Sequence, residues 1–272
     1  MKKIIYSLLV LVISSSVSFG QKVAKEKKYE KVIYNEVTKN IGDLTVYMVD
    51  AVSTDAYFKF KLRIQNKSAN YIILNVNKMS IVDMKGVVYN PSERPLVIAP
   101  GDFGVRVIDI KGSEFRTTSL KVNLDGLTSA PSNGKIYEAP IFKLPVATND
   151  FTTGPFKVVQ KENDLKTDLS LVKMEVTYTG KDIAIFTPSK VVLKMPSGNE
   201  FANMSSNKKS IVLNPGESDV FTLKWADIDV KSNGDMQKAQ MQILFKDAFV
   251  ESKGTTLNGD SFDLSINEKE SK

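Results

Sequence analysis

The chain has 272 residues, with 37 Lys and Arg, 31 Asp and Glu, and neither Cys nor His. The missing cysteine excludes disulfides, thiol chemistry, thiolate metal sites and a lipidated cysteine; the missing histidine removes the commonest general base and transition-metal ligand. The formal charge of +6 is concentrated near the start: Lys2 and Lys3, then Lys22, Lys25, Lys27, Lys28, Lys31 and Lys39 against Glu26, Glu30 and Glu36. The rest is close to neutral, so the basic face that a nucleic-acid-binding domain spreads over its body is not expected.

Met1–Gly20 has the three parts of a secretory signal peptide: Lys2 and Lys3, the apolar run Ile4–Ile13, and small residues Ser18 and Gly20 before a cleavage site at Gln21. The apolar run is shorter than the ~20 residues of a spanning helix, and no later stretch is apolar enough, so stable membrane insertion is not expected. The predicted location is periplasmic or secreted. Gln21–Asn40 reads as a polar lead.

Strand signals begin near Asp43. Leu44, Val46 and Met48 alternate with polar neighbours, and Phe58, Phe60, Leu62 and Ile64 alternate with Lys59, Lys61, Arg63 and Gln65, the period of a half-buried strand. Ile72–Val76, Met79–Met84, Leu96–Ile98, Val105–Ile110 and Leu120–Leu124 follow; Thr128–Gly134 reads as a Ser/Pro/Asn/Gly loop and Pro140–Leu144 as a terminal strand. Val146–Thr153 is the predicted linker. Beyond it come Phe156–Val159, a strand with Val172, Met174, Val176 and Tyr178 inward, then Val191–Met195, Ile211–Leu213, Val220–Leu223, Met241–Phe245 and Phe262–Ile266.

The second run repeats the first. Leu62–Gly86 lies over Met174–Gly198 without a gap, pairing Leu62 with Met174, Ile64 with Val176, Ile72 with Ala184, Leu74 with Phe186, and Ile81 with Leu193. Both runs reach a Pro-Gly-acid turn, at Val97–Asp102 and Val212–Glu217, where Gly101 and Gly216 are expected at positive φ. A repeat of about 115 residues is the size of a β-sandwich domain. The expected fold is all-β: two tandem antiparallel β-sandwiches over residues 41–146 and 154–267, after a signal peptide (1–20) and a lead (21–40).

The export signal, the strand order, the glycine followed by an aromatic (Gly86 and Tyr89, Gly198 and Phe201) and the V-x-x-P-G-[DE] turn resemble bacterial extracytoplasmic immunoglobulin-like β-sandwich domains, which are families of unknown function in secreted proteins and lipoproteins. The resemblance implies an immunoglobulin-like fold and a periplasmic or surface accessory role, and carries over no catalytic residue.

Carboxylate pairs remain as candidates for glycoside hydrolysis: Asp102, Asp109, Glu114, Glu217, Asp219, Asp227 and Asp229, set against the ordinary role of turn acids as backbone acceptors. Asp227-Ile228-Asp229 and Asn258-Gly259-Asp260 are oxygen-rich without the twelve-residue calcium-loop spacing. Trp225 alternates with Phe221 and Leu223, which places it in the core rather than on a sugar platform; Tyr71, Tyr89 and Tyr137 are better surface candidates. The sequons at Asn66 and Asn203 read as coincidental. No catalytic, cofactor or metal site is therefore assigned. The expected function is a non-enzymatic binding or accessory role in the envelope, with an envelope protein or surface polymer as partner. A carboxylate-based hydrolase, or an accessory module of one, and a structural spacer are the alternatives.

Overall fold

The computed structural model describes residues 29–112, 115–145, 148–206 and 209–272. The predicted signal peptide Met1–Gly20 and the candidate acid Glu114 lie outside them. The fold is nearly all-β and antiparallel: among the described residues helix is confined to a single turn, Val230–Asn233, and two 3-10 turns, Val76–Lys78 and Pro188–Lys190.

The first half runs β1 (Val32–Ile33), β2 (Val37–Ile41), β3 (Leu44–Ser53), β4 (Tyr57–Asn66), β5 (Asn70–Leu74), β6 (Ser80–Asp83), β7 (Val88–Tyr89) and β8 (Leu96–Ile98). It continues with β9 (Phe103–Lys111), β10 (Ser119–Leu124), β11 (Leu127–Pro131), β12 (Lys135–Tyr137) and β13 (Phe142–Leu144). The period-two pattern sets the faces: Phe58, Phe60, Leu62 and Ile64 of β4 are buried while Lys59 and Arg63 are exposed. The second half runs β14 (Asp150–Thr153), β15 (Phe156–Leu165), β16 (Leu169–Tyr178), β17 (Ile183–Phe186), β18 (Val191–Lys194) and β19 (Glu200–Ala202). It ends with β20 (Ile211–Leu213), β21 (Ser218–Ala226), β22 (Met241–Phe245), β23 (Phe249–Ser252), β24 (Thr255–Thr256) and β25 (Asp260–Ser265).

The repeat extends to strand register. Ile72 faces Ile98 as Ala184 faces Leu213, Ile64 faces Gly104 as Val176 faces Asp219, and Ile81 faces Tyr89 as Leu193 faces Phe201. Gly101 (φ 72°) and Gly216 (φ 83°) hold the expected positive-φ positions. Their turns close by Asp102 N–H to Ala99 O (3.2 Å) and Glu217 N–H to Asn214 O (3.0 Å).

Two hydrophobic cores result, but the chain does not divide between them where the repeat suggests. β25 pairs with β10, setting Phe262 opposite Val122, and both Phe262 and Leu264 are buried in the first core. Reciprocally β13 pairs with β22, setting Phe142 opposite Ile243, and Phe142 and Leu144 are buried in the second core. Each half thus lends its last strands to the other. The crossing is a two-stranded ribbon: β11 pairs with β24 (Ser129 opposite Thr255) and β12 with β23 (Lys135 opposite Glu251). Gly134 lies at the crossing, where a Cβ would fall on the Glu251 carbonyl. Ser252 Oγ donates to Pro131 O (2.6 Å). Ile73, Ala130 and Ile183 pack between the halves beside Tyr71, Val97 and Val212.

Against the expected ranges 41–146 and 154–267, β25 thus packs with the first half and β13 with the second, and several local expectations differ from the structure. Thr128–Gly134 is not simply a loop: Leu127–Pro131 is strand, because the ribbon supplies its backbone partners. The predicted linker contains β14, paired with β15, and the predicted lead contains β1 and β2, with Val32 and Tyr34 buried. The lead is also tied to the far end of the chain, where Lys31 and Lys272 exchange backbone hydrogen bonds.

Candidate functional site

The candidate carboxylates are dispersed and engaged locally. Asp102 Oδ1 accepts from Phe103 N–H (2.7 Å), Glu217 Oε2 from Asn214 N–H (2.8 Å), and Asp219 Oδ1 from Val220 N–H (2.8 Å). Asp109 pairs with Lys111 at 2.9 Å. Asp229 caps the Val230–Asn233 turn, accepting from Lys231 and Ser232 N–H (both 3.2 Å); its bond from the Ser232 hydroxyl, foremost, holds its carboxyl below the usual range. Asp227 sits at φ 57°. Asp260 accepts from Ser261 N–H (2.7 Å) and pairs with Lys39 (3.4 Å). Among the described residues no three Asp or Glu side chains gather where they could hold a metal ion.

The aromatic candidates divide. Trp225 is fully buried in the second core and donates its Nε1–H to Phe201 O (3.0 Å). Tyr89 packs on Phe115 with ring centroids 4.5 Å apart. The Tyr71 hydroxyl meets Ser210 Oγ (2.8 Å) across the join between the halves. The two sequons are structural turns: Asn66 and Asn203 are buried, and their Oδ1 atoms accept from Ser68 and Ser205 N–H, both at 3.0 Å.

Tyr137 belongs to a cluster not anticipated from the sequence. Its hydroxyl donates to Glu251 Oε2 (2.7 Å), and the Tyr178 hydroxyl donates to Glu251 Oε1 (2.5 Å). The Tyr137 bond, foremost, holds the Glu251 carboxyl below the usual glutamate range, while burial and the carboxylate push the Tyr178 hydroxyl above the usual tyrosine range. The three residues are far apart in sequence, and the strand exchange is what brings Tyr137 in, so no local signal marks them.

β9 carries a row of exposed apolar side chains. It forms the edge of the sheet β1-β3-β4-β9, and its outward side chains Phe103, Val105 and Val107 are 44%, 50% and 42% exposed. Beside them on β4 stand Arg63, opposite Val105, and Lys61, opposite Val107. The Arg63 guanidinium lies over Tyr47 (5.8 Å) and Phe103 (5.9 Å). Among the described residues, β4 is the one strand that pairs with β9, so its other edge is open to a further strand; off the ladder, the Arg106 guanidinium donates to Pro95 O (2.9 Å). In the second half the matching strand β21 is partly covered, since Met204 N–H donates to Lys224 O (2.7 Å). Natural edge strands are normally blunted by charge, proline or shortness; β9 is nine residues long, has no proline, and carries its charges at Arg106, Asp109 and Lys111, leaving Phe103–Val105 without one.

No family model matches the chain, and no curated protein matches it. Among solved structures, the secreted serine protease VesC from Vibrio cholerae aligns with 85% of this chain at 9% identity and a TM-score of 0.20. The chain spans 51% of that structure's length, and a likeness this slight carries no argument. Among the described residues no helix is long and apolar enough to cross a membrane.

Proposed function

We propose that this chain is an exported, non-enzymatic binding protein of the bacterial cell envelope, made of two immunoglobulin-like β-sandwiches with exchanged terminal strands. The observation that carries this reading is the open edge of β9 with its exposed Phe103, Val105 and Val107. Such an edge recognises an extended segment by strand addition: backbone hydrogen bonds give affinity and alternate side chains give specificity. An envelope protein fits this mode better than a surface polymer, because only a polypeptide offers the matching ladder of donors and acceptors. The hydrolase alternative is disfavoured because its carboxylates are spread over separate turns and strands. The spacer alternative draws support from the crossing ribbon, which ties the halves together.

Affinity capture from envelope extract with the chain from Gln21 tests the proposal against the double variant Val105→Glu, Val107→Glu. Both glutamates would face a cation across the strand, Arg63 and Lys61, so the fold is expected to persist. Recognition predicts a specific envelope protein captured by the parent and lost from the variant; equal capture by both removes the β9 reading.

A further inference from the structure

The ends of the two halves that carry the β2–β3 and β14–β15 turns are built alike and filled differently. In the second half the turn glycine is Gly154 (φ 52°), and the Tyr137 ring lies so close that an added Cβ would fall into it. Tyr137 packs on Phe156 (centroids 5.8 Å apart), Phe156 packs on Tyr178 (5.3 Å), and both hydroxyls end on Glu251. In the first half strand register places Gly42 (φ 55°) where Gly154 stands, Leu44 for Phe156, Asn66 for Tyr178, Ser129 for Glu251 and Leu257 for Tyr137. Every ring of the set is replaced by a smaller side chain, and nothing lies within 4 Å of a Cβ built on Gly42. What remains is a cavity of about 410 Å³. Ile41, Leu44 and Leu257 supply apolar wall; Asn70 and Ser129 supply polar groups, with Asn70 Nδ2–H donating to Ser129 Oγ (3.0 Å).

We infer that this cavity binds a phenolic ring, the side-chain chemistry of tyrosine. The second half displays the fit: a tyrosine ring packed against the turn glycine, its hydroxyl on the residue equivalent to Ser129. The cavity is of a size that takes small ligands. A ring seated over Gly42 would contact Leu44 and Leu257 and direct its hydroxyl toward Ser129, whose own O–H remains able to donate. The site lies on different residues from the β9 edge and does not rest on the strand-addition reading.

The test is equilibrium binding, followed by nuclear magnetic resonance, of N-acetyltyrosinamide and N-acetylphenylalaninamide to the chain from Gln21. Saturable binding of the tyrosine compound is expected, with shifts centred on Gly42 and Ser129. The phenylalanine compound should bind about fivefold more weakly, the equivalent of one neutral hydrogen bond of about 1 kcal/mol. Ser129→Ala should erase that preference. Leu257→Tyr, which rebuilds the plug of the second half, should abolish binding of both without lowering the melting temperature. An extended pentapeptide with a central tyrosine separates the sources: tighter binding than N-acetyltyrosinamide points to a tyrosine on a partner chain, equal binding to a free phenolic compound. Absence of saturable binding to the parent up to about 10 mM, far weaker than ordinary recognition, overturns the inference. So does undiminished binding to a folded Leu257→Tyr, or a preference for tyrosine that survives Ser129→Ala.

Discussion

Phe262→Ala tests the strand exchange, because chain order and packing give opposite answers. Phe262 is fully buried and faces Val122 of β10, alongside Leu264 in the first core. Truncating a buried phenylalanine removes its transfer free energy and leaves a cavity, at a cost of about 3–5 kcal/mol. If Phe262 belonged to the half in which it is encoded, the damage would fall around Leu193, Ile243 and Trp225. With the strands exchanged it falls on Ser119–Leu124, which pairs with β25, and on Ser80–Asp83, the next strand of the same sheet. Native-state hydrogen exchange resolves the two, since protection is lost first in the unit that is weakened. The largest drop should be in β6 and β10, with β18 and β22 protected longer. Phe142→Ala should give the mirror image, with the largest loss beside Ile243 on β22 and in β18. Trp225, the sole tryptophan, lies in the second core, so its emission during urea unfolding should shift more with Phe142→Ala than with Phe262→Ala. Loss centred on β18 and β22 in Phe262→Ala would refute the exchange.

Gly101→Ala and Gly216→Ala should each cost about 1 kcal/mol in urea unfolding. An added Cβ meets nothing within 4 Å at either glycine, so the cost is backbone strain alone, and a neutral effect at both would refute the turn assignment. Glu251 has a depressed carboxyl, so its stabilising contribution is present above the unfolded glutamate value of about 4.3 and is lost as pH falls through the folded one. Glu251→Gln should therefore flatten the acid limb of melting temperature against pH; an unchanged limb would show that the cluster is not linked to acid stability. Tyr178 has a raised hydroxyl, so its contribution is present below about pH 10 and lost as pH rises through the folded value; Tyr178→Phe should flatten the alkaline limb. Panels of glycoside, peptide and phosphate-ester substrates should give background rates, and turnover that disappears in Asp227→Asn, Asp229→Asn would favour the hydrolase alternative.

The sequence displayed the repeat and the inward faces because burial imposes its period directly on composition. Val172, Met174, Val176 and Tyr178 alternate in the chain and are all buried. It displayed the Pro-Gly turns because only a residue free of a Cβ takes that φ without strain. The strand exchange was not legible. Alternation at Phe142 or Phe262 says which face of a strand is buried, not which sheet supplies its neighbours. Leu127–Pro131 was hidden by turn-forming residues whose backbone partners lie on a distant strand. The open cavity was equally hidden, since Leu257 and Ser129 acquire meaning only when superposed on Tyr137 and Glu251. The β9 edge was half legible: the apolar positions could be read, but not that among the described residues the strand pairs with β4 alone.

Strand addition at β9 places a partner's extended segment beside Val105 and Val107. Its most direct measurement is site-specific photo-crosslinking in cells, with a photoreactive side chain at Val105 and, as control, at Lys143 on β13, an exposed position of another sheet. One discrete envelope protein should be crosslinked from Val105, absent from Lys143, and lost when Val107→Glu is added. Crosslinks that are equal at the two positions, or that persist with Val107→Glu, would contradict strand addition at β9.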